Sequence, residues 1–238
     1  MPEWKISPAS GVILPSLVMV TEYREPIGCG IMPILSGLNS KRISLHCLRP
    51  CLIENKWLPD TGELFHSGIL GFDPGFGTAD TFVIRGGTMQ SYDSFDNLGM
   101  KMVYKRLSEK IWNTYGVHIP VHTVPKVLID GYVQKFDKKN MRTENIPVAD
   151  MLEQCNKIVC EAALEKLNIT YDYLQEFKHL LVTGGTGEAW CDYIANHFAE
   201  MQNLKIIFGN RNDAALPQIF SNVRGYYLKR AGILRARQ

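Results

Sequence analysis

The sequence predicts an α/β domain in which a mixed sheet is flanked by helices, and three observations support this fold class. From residue 67 onward, short apolar runs of strand type alternate with longer segments in which apolar residues recur at helical spacing. Two of the strand runs end in glycine-rich loops. The chain of 238 residues, 45% hydrophobic and 21% charged, is large enough to bury a substantial core.

Three strands open the regular part of the chain. The predicted strands cover residues 67–72, 80–85 and 88–93, and a glycine-rich loop joins the first two. Gly86 and Gly87 lie between the second and third strands, where a Gly-Gly pair predicts a two-residue hairpin turn. These strands are therefore expected to form two successive hairpins.

A helix and an insertion are predicted next. Asp96 or Asn97 offers a side chain suited to cap the helix, and Gly116 is suited to end it. Residues 117–146 form the insertion, in which we expect a strand over 124–129 and a solvated loop in the charged stretch that follows, from Lys135 to Lys139. The apolar residues of the helix recur at helical spacing: Leu98, Met102, Leu107, Ile111 and Tyr115.

A long helix and two strand–helix units complete the predicted fold. Pro147 is expected to start the long helix, because proline is favoured in a first turn. Cys155 and Cys160 are interpreted as core residues of this helix. The remaining elements are a strand over 179–183, a helix over 188–200, a strand over 204–208 and a helix near 216–230.

The loop between the first two strands carries residues suited to bind phosphate. Gly75 and Gly77, with Thr78 beside them, let backbone N–H groups approach a ligand that a Cβ would obstruct. Asp73, at the start of the loop, is suited to hold Mg²⁺ through water and to orient an attacking water. The alternative interpretation is a tight glycine-rich hairpin with an incidental Asp.

A second glycine-rich strand end strengthens the phosphate interpretation. Gly184, Gly185 and Thr186 follow the strand at 179–183, and a helical pattern opens at Glu188. A glycine bend before a helix is a place where a nucleotide base or phosphate can lie against bare backbone. Two such loops, each following a strand, favour a nucleotide site over two incidental turns.

Taken in order, these motifs resemble those of the actin-like ATPase superfamily, in particular the ParM/StbA-type plasmid-segregation actins. Residues 73–80 (DPGFGTAD) resemble its second phosphate loop, and residues 181–188 (LVTGGTGE) resemble its adenosine motif. Residues 220–228 (FSNVRGYYL) resemble its closing helix, and residues 97–99 lie where the family has a similar turn. The resemblance covers roughly residues 66–230. It implies one ribonuclease H-like half of the actin fold.

The resemblance also implies a function. The chain is expected to bind ATP and Mg²⁺, with Asp73 as the catalytic and metal-holding residue, and to assemble with copies of itself into filaments in the cytoplasm. Such filaments would move plasmid DNA through a DNA-bound adaptor, and the net charge of +2 gives no footprint for direct nucleic-acid binding. The residues implied to contact the nucleotide are Asp73, Gly75, Gly77, Thr78, Gly184, Gly185, Thr186 and Glu188.

The first part of the chain departs from the family pattern. Nothing before Ser67 resembles the first phosphate loop, and Ala9 stands where the family has a polar residue that positions water. Residues 1–66 are expected to be a remnant of the first actin-like half or a loop-rich insertion, and residues 67–238 to be the second half. Because phosphoryl transfer needs groups on both sides of the phosphate, hydrolysis is expected to be weak. The alternatives are a catalytically inactive actin-fold scaffold or binding module, or a truncated fragment.

The cysteines and the apolar runs exclude other classes of protein. Six cysteines without a disulfide framework are interpreted as reduced thiols, and the Cys and His residues between 29 and 51 lack the spacing of a zinc motif. The longest apolar run, residues 11–20, is interrupted by Pro15 and is too short to span a bilayer. No membrane partner is expected.

Overall fold

The computed structural model describes residues 68–86, 88–209 and 218–222, and a five-stranded mixed sheet organises them. The strands in chain order are β1 (Ile69–Pro74), β2 (Thr78–Arg85), β3 (Thr88–Asp96), β4 (Tyr132–Asp137), β5 (Arg142–Pro147), β6 (His179–Val182) and β7 (Lys205–Phe208). The sheet has the order β3-β2-β1-β6-β7, and β4 and β5 form a separate hairpin. β1 pairs antiparallel with β2 and parallel with β6, which confirms the predicted mixed sheet.

Helices cover one face of this sheet. They are α1 (Met100–Tyr115), α2 (Val124–Asp130), α3 (Ala149–Thr170), α4 (Gly184–Ala189) and α5 (Cys191–His197), with single turns at Val121–Thr123, Asp172–Leu174 and Gln218–Phe220. Alternate strand residues point to opposite faces, so each strand contributes to two apolar clusters. The face packed by α1, α3 and α5, here called the helix-covered face, buries Leu70, Phe72, Leu107, Leu164 and Leu180. The opposite face buries Ile69, Phe82, Ile84, Leu181 and Ile207.

The first hairpin is tighter than predicted. β1 runs to Pro74 and β2 begins at Thr78, whereas the sequence predicted strands ending at residue 72 and beginning at residue 80. The Gly75 amide donates to the Thr78 carbonyl at 2.8 Å and closes the loop, so that only three residues separate the strands. The second hairpin has the predicted two-residue turn, because Arg85 pairs with Thr88.

The prediction that Asp96 or Asn97 caps α1 is wrong. β3 continues to Asp96, and the N-cap residue is Gly99, which has no side chain to accept a hydrogen bond. The Met100 and Lys101 amides donate instead to carbonyls of the first hairpin loop, at 3.1 and 2.7 Å. The free N–H groups of the helix are thus satisfied by backbone rather than by a side chain. The predicted end at Gly116, which has a φ of 67°, is confirmed.

The insertion is more regular than predicted. Residues 124–130 form the helix α2 instead of a strand, because Pro125 is tolerated in a first helical turn while Val124 and Leu128 bury one helix face. The charged stretch expected as a solvated loop forms the end of β4 and the start of the turn that leads to β5. There Asp137 Oδ1 accepts the Lys139 amide at 2.9 Å, a local bond that favours a turn.

Two further helix boundaries differ from the prediction. Pro147 does not start α3 but pairs with Tyr132 at the end of β5, and the helix begins at Ala149. The helix predicted over 188–200 begins at Gly184 and is interrupted at Trp190, whose buried indole N–H donates to Asn156 Oδ1 at 3.1 Å. The prediction that Cys155 and Cys160 are core residues is confirmed.

Some predictions concern parts of the chain outside the described residues. These are the segment 1–66 with Ala9 and the Cys and His residues between 29 and 51, and the predicted closing helix beyond residue 222. None of the helices in the described segments combines the length and the apolar composition needed to cross a bilayer.

Candidate functional site

The two glycine-rich strand ends lie side by side at one edge of the sheet. β1 and β6 are parallel neighbours in which Phe72 is paired with Val182, so both strands end at the same edge. The Thr183 amide donates to the Phe72 carbonyl at 3.0 Å and extends this pairing. Asp73 and Gly184 are thereby brought together. The carboxyl ends of parallel strands are the usual ligand-binding edge of an open α/β sheet.

Gly184 makes a close contact between the two strand ends possible. Its φ of 78° lies in the left-handed region, and a Cβ at this position would stand 2.4 Å from Asp73 Oδ1. A side chain here would be strained and would also displace the carboxylate. The geometry of Asp73 therefore requires a glycine at position 184.

Asp73 is a half-buried residue, and a neutral donor holds its carboxylate. Asn222 Nδ2 donates to Asp73 Oδ2 at 2.9 Å. Desolvation raises the pKa of Asp73 above its ordinary value, the side chains of Asn222 and Thr183 lower it, and the charge of Asp80 raises it. The buried Thr183 hydroxyl makes no hydrogen bond of normal geometry in the described part of the chain.

A second carboxylate lies across the hairpin. Asp80 is the register partner of Asp73, and both side chains lie on the opposite face of the sheet, on the same side as Phe82. Ser94 Oγ donates to Asp80 Oδ1 at 2.6 Å. Burial, and then the nearby Asp80 carboxylate, raise the pKa of Tyr92 to about 12. No ion pair between either carboxylate and a Lys or Arg is found within the described residues.

The loop between β1 and β2 uses part of its backbone internally. The Gly75 N–H is bonded to Thr78, and the Gly75 carbonyl accepts the Met100 amide and the Thr186 hydroxyl, the latter at 3.1 Å. In this conformation the Gly75 N–H is therefore used within the loop, and its predicted role toward a phosphate stays a prediction. Gly77 differs, because a Cβ there would meet no atom within 4 Å. The open side of this loop is at Gly77.

The second glycine-rich end is packed against the turn at 218–222. Glu188 Oε2 accepts the Gln218 amide at 2.9 Å, and Gln218 Nε2 donates to the Val182 carbonyl at 3.1 Å. A Cβ at Gly185 would lie 3.1 Å from carbons of Ile219. Glu188 and Gly185 thus contact protein in this structure, and Thr186 is bonded to the first loop.

All eight sequence-predicted residues lie on these two strand ends, but several partners were not predicted. Asp80 was part of the quoted motif and received no role, although counting a tight hairpin from Asp73 would have placed it opposite that residue. Ser94 follows from the same register. Asn222 was part of the quoted 220–228 motif but received no role, and Gln218 had no local signal, since both contacts depend on how a distant segment returns to the sheet.

The donor set matches a hard divalent cation better than a transition metal. Its groups are carboxylate and hydroxyl oxygens, which Mg²⁺ prefers, and Mg²⁺ commonly binds proteins through one or two carboxylates while it keeps several waters. Within the described residues, no cluster of three or more His, Cys, Asp or Glu side chains is arranged to hold a metal. The residues present therefore fit Mg²⁺ held largely through water.

Comparison with known proteins identifies the fold. No protein-family model and no curated protein sequence matches the chain. Among solved structures, an archaeal actin homologue has a TM-score of 0.57 at 15% identity over 79% of this chain and 54% of its own. ParM of Bacillus thuringiensis with ATP has a TM-score of 0.51 at 16% identity, over 82% of this chain and 55% of its own. A non-polymerisable quadruple mutant of pCBH ParM has a TM-score of 0.53 at 18% identity, over 71% and 47%.

These likenesses show that the chain has the actin-like fold. Its described core, a mixed sheet with helices packed on one face, corresponds to the ribonuclease H-like unit that the sequence predicted. The chain spans about half the length of these solved structures.

Proposed function

We propose that this chain is an actin-like nucleotide-binding protein that binds ATP with Mg²⁺ where β1 and β6 end. The observation that carries the proposal is the Asp73–Asp80 pair, two neighbouring carboxylates that have no cationic partner among the described residues. Gathering like charges in a desolvated position costs free energy unless a counter-charge is present. A bound cation would supply that counter-charge.

Asp73 and Asp80 would hold Mg²⁺, chiefly through its coordinated water. When bound, the ion neutralises charge on the phosphates of the nucleotide and so allows them to approach two carboxylates. Gly77 supports the phosphate assignment, because its open side lets a ligand reach the backbone of the loop. Two of the similar structures contain nucleotides, the Bacillus thuringiensis ParM with ATP and the archaeal actin homologue with ADP.

We further propose that the chain assembles into filaments of the plasmid-segregation type, which move DNA through a DNA-bound adaptor. The support is the resemblance of residues 220–228 to the segregation actins and the presence of several ParM proteins among the similar structures. Sedimentation of the purified chain with ATP and Mg²⁺ tests assembly. Pelleting that requires both ligands is expected, and a chain that stays monomeric at high concentration contradicts the filament proposal.

Calorimetric titration of ATP, with Mg²⁺ and with a chelator, tests nucleotide binding. We expect Mg²⁺ to strengthen binding, and Asp73→Asn to remove most of that gain. Asp130→Asn is a matched control, because Asp130 is an exposed residue at the end of α2, away from both strand ends. Equal Mg²⁺ dependence in all three proteins contradicts the assignment of Asp73.

Turnover is expected to be slow even if ATP binds, because Ala9, which stands where the family has a polar residue, has no side chain that could position water. Phosphate release from the purified chain, compared with Asp73→Asn, measures this. A chain that binds no nucleotide with or without Mg²⁺ would instead act as an actin-fold scaffold.

A further inference from the structure

The five-residue stretch 218–222, here called the clasp, contacts both glycine-rich strand ends. On one side Gln218 bonds to Glu188 and to the Val182 carbonyl. Ile219 packs against Gly185, where a Cβ would come within 3.1 Å of it. On the other side Asn222 donates to Asp73 at 2.9 Å. A short segment far along the sequence thus ties together the two parts of the proposed site.

We infer that Asn222 is a positioning residue, which holds the Asp73 carboxylate in the orientation that receives Mg²⁺ and nucleotide. This inference rests on the proposed function. The Asn222 amide donates to Asp73 Oδ2. Asp73 Oδ1 lies so close to Gly184 that a Cβ at position 184 would stand 2.4 Å from it. The carboxylate is therefore fixed from two sides, by a donated hydrogen bond and by a backbone surface.

The chemistry of asparagine suits this role better than that of a basic residue. A Lys or Arg at position 222 would form an ion pair with Asp73 and would compete with the cation for its charge. The Asn amide is neutral, so it orients the ionised carboxylate and leaves the negative charge for the cation. The clasp residues Gln218 and Ile219 fix where Asn222 lies, which couples the geometry of the 184–189 segment to that of Asp73.

Two substitutions at position 222 test the inference in the full chain. Asn222→Asp keeps the shape but replaces the donor by a like charge, and Asn222→Ala removes the side chain. We expect Asn222→Ala to weaken Mg²⁺-dependent ATP binding about tenfold, since a hydrogen bond to a charged group is lost, and Asn222→Asp to weaken it further. ATP binding measured in a chelator should change less than twofold in both variants. Asn203→Asp is a matched control, because Asn203 is exposed and precedes β7, at the other edge of the sheet.

A spectroscopic readout distinguishes positioning from general support of the fold. The side-chain amide of Asn222 in ¹H–¹⁵N spectra should shift when Mg²⁺ and ATP are added, and should move in Asp73→Asn without addition. The inference is overturned if both Asn222 variants bind ATP with wild-type affinity. It is also overturned if the Asn222 amide signal does not move in Asp73→Asn. Equal losses with and without Mg²⁺ also overturn it, because they indicate a merely structural residue. A wild-type chain that binds no ATP overturns the proposed function itself, and the role of Asn222 with it.

Discussion

Adjacent residues of two strands build two polar clusters on opposite faces of the same sheet. Asp80 and Thr81 are neighbours in β2, and their register partners Ser94 and Asp93 are neighbours in β3. Side chains alternate between faces, so Asp80 and Ser94 lie on the opposite face, with Asp73, while Thr81 and Asp93 lie on the helix-covered face. Two of these four residues therefore belong to each cluster, and the two clusters differ in how fully their polar groups are paired.

The cluster on the helix-covered face is closed. The Tyr171 hydroxyl donates to Asp93 Oδ2 at 2.9 Å, and Thr81 Oγ1 lies 2.7 Å from the same hydroxyl. Because the Tyr171 proton goes to the carboxylate, Thr81 donates to Tyr171. Thr81, Asp93 and Tyr171 each have a hydrogen-bond partner, and Asp93 is the one carboxylate among these three residues.

The cluster on the opposite face is open. It holds two carboxylates, Asp73 and Asp80, whose donors Asn222 and Ser94 are both neutral. It also contains the buried Thr183 hydroxyl, which lacks a hydrogen bond of normal geometry in the described segments. A closed polar network contributes stability and specificity to a fold, whereas an open one is explained only by something that completes it. This difference is the physical reason to place function at Asp73 and not at Asp93.

Matched substitutions of the two carboxylates should give opposite results, and this is the largest expected effect. Asp73→Asn should weaken Mg²⁺-dependent ATP binding about 100-fold or more, since the negative charge that attracts the proposed cation is removed. Asp93→Asn should leave binding unchanged and lower the free energy of unfolding by about 1 kcal/mol or less, because a charge-assisted bond to Tyr171 becomes neutral. Calorimetry and urea unfolding of both variants measure these effects.

The same comparison predicts a pH-dependent gain of stability in Asp73→Asn. The pKa of Asp73 is raised in the folded chain, so its ionisation costs stability once the pH exceeds the value of the unfolded chain. The variant should therefore be more stable than wild type at neutral pH, and the gain should vanish in acid, where Asp73 is protonated in both states. A constant difference across the pH range would contradict the assigned desolvation.

The contact of Gly184 with Asp73 predicts the next largest effect. Gly184→Ala should destabilise the chain by about 2–3 kcal/mol, because a left-handed residue acquires a Cβ that also displaces the carboxylate. Gly86→Ala is the matched control. Its φ of 57° is also left-handed, but a Cβ there meets nothing within 4 Å, so only about 1 kcal/mol should be lost. Equal unfolding free energies in urea for the two variants would show that the Asp73 side chain moves away from the new Cβ without a loss of stability.

Breaking the closed cluster should lower stability and spare binding. Tyr171→Phe removes the hydroxyl that joins Thr81 to Asp93, and the buried Thr81 loses its better partner, at a cost of about 1–2 kcal/mol. Burial is the main cause that raises the pKa of Tyr171 to about 12. Wild-type stability should thus fall between about pH 10 and 12, where the unfolded Tyr ionises first. The stability of Tyr171→Phe should fall less steeply over this pH range. Some loss should remain, because the pKa of Tyr92 is raised as well.

The sequence predicted most strands of the five-stranded sheet, but it did not predict the β4–β5 hairpin or the cap of α1, and the reasons can be identified. Local patterns located β1, β2 and β6, because apolar runs bounded by glycine report strands directly. The strands β4 and β5 were not predicted within the insertion, since their many exposed polar residues hide the strand alternation. Helix α1 was given a side-chain cap because its true cap is made by carbonyls of another loop, which no local pattern reveals.

The site shows the same division between local and distant information. Asp73 and both glycine-rich ends were identified from short motifs, and β1–β6 pairing brings them together. Asn222 and Gln218 act from a segment that packs across the site, so their roles depend on tertiary contacts alone. The predicted roles of Ala9 and of residues 1–66 lie outside the described residues and stay predictions.

The smallest expected effect concerns a charge pair that water can reach. Arg85 and Glu176 approach to 2.5 Å, yet their side chains are 46% and 71% exposed. Solvent screens such a pair, and ordering two long side chains offsets most of the Coulomb gain, so Glu176→Gln should lower the free energy of unfolding by about 0.5 kcal/mol or less. Arg85 should stay in place, because its guanidinium also lies over the Phe177 ring at 5.5 Å. Unfolding in low and high salt measures the difference, which should disappear in high salt. A loss of stability as large as that of Gly184→Ala would mean that a solvent-exposed charge can matter as much to the fold as Asp73 does. The contrast between the open and the closed cluster would then no longer indicate where the function lies.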